Sequence, residues 1–347
     1  MADGVRYYEL TEGQRQIFRA TTEIYQAYLD SRRQSLAWQG GMHWKKIRGR
    51  AYLYRYRDRF GRGESLGPRA EETERLYGEF FRGRQEITAR LREQRRRLAE
   101  QARFCRAARI HRVPRPLAKI LRRLEQQDLG RNLLVVGAAA MYAYEFAAAV
   151  FLRAEGGDLG QEAPRRLSLA SEGKISLDEV LRLLRQADRS FAPVPGEDYL
   201  ARNRDGFLVR LLKSNTRQPG RPKAVTVPGA REPLPPEAGQ LQYLLASSRF
   251  SQVVIGQDGG PATLTAPDPW AFALNKLWWS QQEDRDAATR SRDRSQALAV
   301  AGLVLRYLPQ YDFSPSELDR FPRDLAQEVE SSAEDSSDDD FGPGRRN

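Results

Sequence analysis

Cysteine is nearly missing from this sequence: Cys105 is the single one among 347 residues, which excludes a disulfide framework and any cysteine-rich zinc site. Histidine is almost as scarce. With only His43 and His111, histidine-dominated metal sites and most Ser-His-Asp arrangements fall away. Neither histidine has ligand partners at metal spacing, so both read as structural, and Cys105 reads as a semi-buried helix residue. Long apolar runs are also missing. The longest, Leu133 to Val150, is interrupted by Glu145 and diluted by Gly137-Ala138-Ala139-Ala140, short of the roughly 18 consecutive apolar residues a membrane span requires. Asp3 and Glu9 stand where a basic, then apolar, signal peptide would begin. These absences predict a soluble protein of the reducing cytoplasm that uses no membrane.

Charge is abundant and unevenly placed. The chain holds 57 Lys+Arg and 46 Asp+Glu, for a formal net charge of +11. Residues 1–130 carry 30 of the basic and 16 of the acidic side chains, a local excess of +14, and the remainder is at −3. A basic half joined to a mildly acidic half suggests two jobs, one of them facing a polyanion. At the other end, Glu328 to Asp340 string seven acids among serines, a composition expected to be disordered.

Local signals divide the basic half, residues 1–130, into helices and a hairpin. Thr11 caps an amphipathic helix with Ile17, Phe18, Ile24, Tyr25 and Tyr28 at helical spacing. Ala51-Tyr52-Leu53-Tyr54-Arg55-Tyr56 alternates like a half-exposed strand, turned by Gly61 to Gly63. A long charged helix runs from Glu71 to about Ala108, with Phe80, Phe81, Ile87, Leu91 and Leu98 as its apolar face. A short helix, Leu117 to Gln127, follows Pro114 and Pro116. The segment 131–265 opens with a buried strand, Leu133 to Val136, ending in Gly137, and a helix from Ala138 to Ala149. Beyond it lie a helix from Ser176 with a Glu179 capping box, a strand Phe207 to Leu212, a Pro/Gly-rich loop Gln218 to Gly239, and a hairpin around Asp258-Gly259-Gly260. Helices at Pro269 to Gln282 and Ser291 to Tyr307 make up the segment 266–327.

The strand–glycine–helix unit is where chemistry would sit. A glycine there lets backbone N–H groups at a helix N-terminus approach a phosphate. Acids on the next strand would hold magnesium beside that phosphate, as phosphoryl transfer requires. The candidates are Asp158 and then Glu162. A buried strand ending in glycine also serves as a simple packing turn.

The string Val135 to Glu145 resembles the opening motif of a bacterial family of nucleotidyltransferase-fold proteins, a distant branch of the DNA polymerase β-like superfamily. Upstream, Gly40-Gly41-Met42, Trp44, Tyr52-Leu53-Tyr54, Ser65 to Arg69 and Thr73-Glu74 look like that family's N-terminal extension. Downstream, Pro267-Asp268-Pro269, Ala273, Lys276-Leu277-Trp278, Arg285-Asp286, Arg292-Asp293 and Gln296-Ala297 resemble its C-terminal helical signature. The resemblance spans about residues 5 to 325. It implies an α+β fold: a small mixed sheet with flanking helices, preceded by the basic, mainly helical region with its hairpin and followed by C-terminal helices. It also implies a nucleoside triphosphate bound with Mg2+.

In that superfamily an Asp-x-Asp pair on the strand after the glycine motif, plus a third carboxylate on a later strand, hold two metal ions that align an acceptor hydroxyl with the α-phosphate. Asp158 matches the first carboxylate, and is the metal ligand the resemblance assigns. Gly160 stands where the second would be, and Glu162 lies two positions further, roughly 6–7 Å along the same strand face. Arg210 occupies the place of the third. An arginine there repels magnesium and can grip a phosphate directly. Two readings therefore stand: a magnesium-dependent nucleotidyltransferase using Asp158 and Glu162, or a degenerate module binding nucleotide or nucleic acid. In both, Gly137 and Ala138 cradle phosphate. Lys276 either steadies the triphosphate or snorkels beside tryptophans. Arg285, Asp286, Arg292 and Asp293 read as caps and ion pairs.

Trp44, Lys45, Lys46, Arg48, Arg50, Arg55 and Arg57, interleaved with tyrosines, form a candidate surface for RNA or DNA, since cations release counterions and aromatic faces stack on bases. The same alternation describes a hairpin whose aromatics pack on helices while its arginines stay solvated. The cluster Arg92, Arg95, Arg96, Arg97 reads as a solvated helical face.

Overall fold

The computed structural model describes residues 5–57, 61, 63–127, 132–154, 166–171, 175–197, 199–213 and 237–311. The acidic stretch from 328 and nearly all of the Pro/Gly-rich loop lie outside them. In chain order the elements are β1 (Val5–Glu9), α1 (Glu12–Ser35), β2 (Gly41–Ile47), β3 (Arg50–Tyr56), β4 (Gly63–Pro68), α2 (Glu71–Ala107) and α3 (Arg115–Gln126). There follow β5 (Leu134–Val136), α4 (Met141–Ala148), β6 (Val150–Ala154), β7 (Arg166–Ser171), α5 (Leu177–Ala187), β8 (Ala192–Pro193), β9 (Leu200–Arg202) and β10 (Leu208–Lys213). The last are α6 (Glu237–Ala246), β11 (Arg249–Ile255), β12 (Pro261–Pro267), α7 (Pro269–Ser280) and α8 (Ala287–Tyr307).

Two compact units result. One is Gln16–Ala108, and the other runs from Arg109 onward and takes in the residues up to Arg15. Charge placed a boundary near 130. The chain instead divides where α2 ends, because α3 packs on α5 and β12 and β1 forms an antiparallel ladder with β6.

In the unit Gln16–Ala108, α1 and α2 lie antiparallel. Gln94 Nε2 donates to the Ala27 carbonyl at 3.0 Å and to Ser31 Oγ at 2.9 Å, and Thr21 Oγ1 lies 3.4 Å from Cys105 Sγ. Cys105 is therefore fully buried rather than semi-buried, and burial pushes its thiol pKa up. Strands β2, β3 and β4 form an antiparallel sheet in that order. The β2–β3 link is two residues, Arg48 (φ 47°) and Gly49 (φ 80°), the two positive φ values of a type I′ turn. Met42, Leu53 and Phe80 seal the sheet on α2, and Trp38, Trp44, Leu66, Leu76 and Tyr77 pack around them.

The other unit is built on a five-stranded mixed sheet in the order β5-β7-β10-β9-β8. Strand β7 is antiparallel to β5 and parallel to β10. One face packs on α6 and α7 through Leu134, Val136, Ala170, Leu241, Leu244, Leu245 and Ala271, with Leu212 against them. Alternation sends the buried Val135, Leu167, Leu169, Val209 and Leu211 to the other face. The Asp258 turn joins β11 to β12 as the sequence predicted, and Arg122 of α3 clamps it, donating from Nη1 and Nη2 to the two Asp258 oxygens at 2.6 and 2.8 Å.

Candidate functional site

Strand β5 leads into Gly137, whose φ of +72° lies in the left-handed region. No described heavy atom comes within 4 Å of where a Cβ would stand, so backbone conformation, not crowding, demands glycine there. Gly137–Ala140 then makes one turn of 3-10 helix that runs directly into α4. Ala138 lies within that turn. The chain leaves α4 through Ala149 at φ +54°, its N–H closing on the Glu145 and Phe146 carbonyls.

The register of the sheet says what faces this turn. Val136, just before Gly137, pairs with Ser168 of β7, and Ser168 pairs with Arg210 of β10. Paired residues share a face, and alternation adds Arg166, two positions before Ser168. The same face is sealed one pair further along by Ala170 and Leu212 under α6 and α7. At the opening end it becomes accessible: Ser168 and Arg210 are half-buried and Arg166 is exposed. Strand rise and spacing put the Arg166 and Arg210 Cα atoms about 8 Å apart. Arg210 has no acidic partner among the described residues.

Arg166 and Ser168 were not singled out in the sequence. Their strand is six residues of modest alternation, Arg-Leu-Ser-Leu-Ala-Ser, and only its ladders to β5 and β10 reveal its place. Asp158 and Glu162, the sequence's candidates for metal binding and catalysis, lie outside the described residues, as do Glu155 and Asp198. Of the other nearby acids, Glu197 lies in the β8–β9 connection and Asp205 in the turn before β10. Asp205 is 3.8 Å from Arg204.

Lys276 sits on α7, and its Nζ meets Asp293 of α8 at 2.5 Å. Arg285 Nη1 approaches the other Asp293 oxygen at 2.6 Å. Asp293 is almost wholly buried, its side chain 5% exposed. Burial lowers the Lys276 pKa, while the Asp293 charge works to raise it. The ammonium is thus engaged in an α7–α8 tie. Asp286 caps α8, accepting from Thr289 N at 2.8 Å.

The nucleic-acid candidates all belong to the unit Gln16–Ala108. Trp44 is half-buried against Tyr77, with ring centroids 5.8 Å apart, and Arg69 stacks on it at 5.4 Å. Lys45, Lys46, Arg48, Arg50 and Arg57 are exposed. Arg55 turns inward: its guanidinium lies 5.2 Å from the Phe80 ring centroid and Nη2 donates to the Ala37 carbonyl at 2.7 Å.

This is a small mixed sheet with flanking helices, whose glycine turn adjoins the opening positions of a neighbouring strand and of the strand parallel to it. The chain matches a nucleotidyltransferase family over residues 115–319, more than half its length, and it belongs to that family. Comparison with curated proteins and with solved structures gives no match.

Proposed function

We propose that this nucleotidyltransferase-family protein binds nucleotide by its phosphates through Arg210 and the Gly137–Ala138 turn, without magnesium-dependent transfer at this sheet end. The carrying observation is the register Val136–Ser168–Arg210. The resemblance places metal-binding carboxylates on the strand after the glycine motif and on a later strand. On β7 and β10, the strands reached in turn from β5 beside Gly137, the accessible positions of this face hold Arg166, Ser168, Leu208 and Arg210, none of them a carboxylate. Two guanidiniums and a hydroxyl do not fit magnesium, which takes oxygen ligands and is held through carboxylates.

That donor set suits a phosphate. A guanidinium offers two parallel N–H donors to a pair of phosphate oxygens and keeps its charge at any accessible pH. Arg210 is half-buried and pairs with no acid among the described residues, so a phosphate reaching it displaces no described carboxylate. The first N–H groups of the Gly137–Ala140 turn have no acceptor within the turn and can donate to phosphate oxygens, and Ser168 can donate a further hydrogen bond.

Titration of the full-length protein with a fluorescent ATP analogue, with EDTA or with magnesium, tests this reading. Binding should survive EDTA, weaken on the order of tenfold or more in Arg210→Ala, as for loss of a charge-assisted pair, and persist in Asp158→Ala. Magnesium-dependent binding lost in Asp158→Ala, or transfer of an α-phosphate label to any acceptor, would establish the metal-dependent enzyme instead.

A further inference from the structure

The β2–β3 hairpin sorts its side chains in a way the alternation alone left open. Directly paired residues share a face. Trp44 pairs with Leu53 and Met42 with Arg55, and these four face α2. The opposite face carries His43, Lys45, Tyr52, Tyr54 and Tyr56, since His43 pairs with Tyr54 and Lys45 with Tyr52. One arginine thus serves the core, and three tyrosines at every second position line the outer surface.

This outer face is built as a platform. The Tyr54 and Tyr56 rings lie nearly parallel, 29° apart with centroids at 6.4 Å. His43 lies 5.8 Å from Tyr56, and Lys45 Nζ stands 5.6 Å over Tyr54. Gly63 pairs with Tyr56, and a Cβ there would come within 2.6 Å of the Tyr56 ring. The ring therefore packs beside strand backbone at a position where any side chain would crowd it. At the same end opens a groove of about 870 Å³ lined by His43, Trp44, Tyr56, Arg57, Phe81 and Arg84. Phe81, which helical spacing assigned to the apolar face of α2, is 37% exposed beside it. The unit Gln16–Ala108 carries 22 Lys+Arg against 11 Asp+Glu.

We propose that this face and groove bind single-stranded nucleic acid. Bases stack on Tyr54, Tyr56 and Phe81, and phosphates run along Lys45, Arg57 and Arg84. Stacking on flat rings needs bases whose faces are free, which a duplex does not offer, while the positive excess supplies the salt-sensitive part of the affinity. This inference is independent of the nucleotide site, which uses no residue of this unit.

Fluorescence anisotropy of the full-length protein tests it, using a labelled 12-nucleotide RNA, the DNA of the same sequence, and the duplex of each. Both single strands should bind at least tenfold more tightly than either duplex. Tyr54→Ala with Tyr56→Ala should weaken single-strand binding on the order of tenfold or more, whereas the paired Phe substitutions, which keep the rings, should stay within about twofold. Lys45→Ala, Arg57→Ala and Arg84→Ala together should flatten the logarithmic salt dependence by about 2, at about 0.7 per lost phosphate contact. Unchanged thermal unfolding of the Ala pair shows that the sheet is intact. Equal affinity for duplex, no binding at low salt, or full binding by a folded Ala pair would overturn the proposal.

Discussion

Lys276 shows how a residue's surroundings can add a third role to the two that its sequence context allows. Beside Trp278 and Trp279, a lysine could reach a triphosphate or lie along apolar surface. The structure engages it with Asp293, and Arg285 holds the other carboxylate oxygen. Two cations share one nearly buried anion, so the three residues are not equivalent. Asp293→Asn leaves both cations without their counterion, and breaking a buried pair from one side costs about 3–5 kcal/mol. Lys276→Met leaves Asp293 still neutralised by Arg285 and fills the space with an apolar chain of similar length, a change expected near neutral, within roughly 1 kcal/mol. Urea denaturation should show a large fall in midpoint for Asp293→Asn and a small one for Lys276→Met, at constant slope. Nucleotide affinity should be unchanged in Lys276→Met; a large loss there would return Lys276 to the binding site. Glu145 follows the same logic. In the sequence it only interrupts an apolar run, yet it is fully buried, accepting from Arg112 at 3.1 and 3.3 Å and from Leu152 N at 2.8 Å.

Among the elements, β1 is the one whose attachment is testable by pH. Its Tyr7 donates to the Ala299 carbonyl of α8 at 3.1 Å, lies against Tyr307 with centroids at 5.9 Å, and approaches so closely that a Cβ at Gly302 would stand 2.5 Å from its hydroxyl oxygen. Burial pushes the phenol pKa up to about 12, against the opposing charge of Arg306. The sign follows from proton binding. Between about pH 10, the ordinary phenol value, and pH 12 the unfolded chain loses this proton and the folded chain keeps it, so stability falls as pH rises. Tyr7→Phe removes that linkage. The wild type should lose more stability than Tyr7→Phe between pH 10 and 12 in denaturant titrations, and parallel curves would show that Tyr7 ionises as freely folded as unfolded. Strand β1 was not legible in the sequence, and neither were β6, β7 and α6. Elements with local chemistry were: Ser176 and Glu179 make a reciprocal capping box, Thr11 and Gln14 exchange hydrogen bonds at the start of α1, and the Asp258 turn joins its hairpin. Strands β1, β6 and β7 are five or six residues long and depend on partners far away in sequence, as edge and inserted strands commonly do. Because β7 carries Arg166 and Ser168, missing that strand also hid two of the three side chains at the sheet end, while Arg210, on a strongly apolar strand, was readable.

At the scale of the whole molecule, the boundary set by packing at the end of α2 isolates the excess charge better than a boundary near 130. The unit Gln16–Ala108 alone carries a net charge of +11, equal to that of the entire chain, and the rest is balanced. Each unit also has a hydrophobic cluster of its own: Met42, Leu53 and Phe80 in one, and Leu134, Val136, Ala170 and the α6–α7 residues in the other. Separate cores predict separate cooperative transitions, since a domain unfolds as a unit when its own packing is lost. Phe80 is 2% exposed, and truncating a buried phenylalanine costs about 3–5 kcal/mol. Calorimetry should therefore resolve two transitions. Phe80→Ala should lower one and leave the other in place, and Asp293→Asn should do the converse. The nucleic-acid complex should raise only the transition that Phe80→Ala lowers, and ATP only the one sensitive to Asp293→Asn, because a ligand stabilises the unit whose folded form it binds. A single transition moved by both substitutions would mean that the two cores melt together, and that the basic platform and the arginine-lined sheet end belong to one cooperative structure.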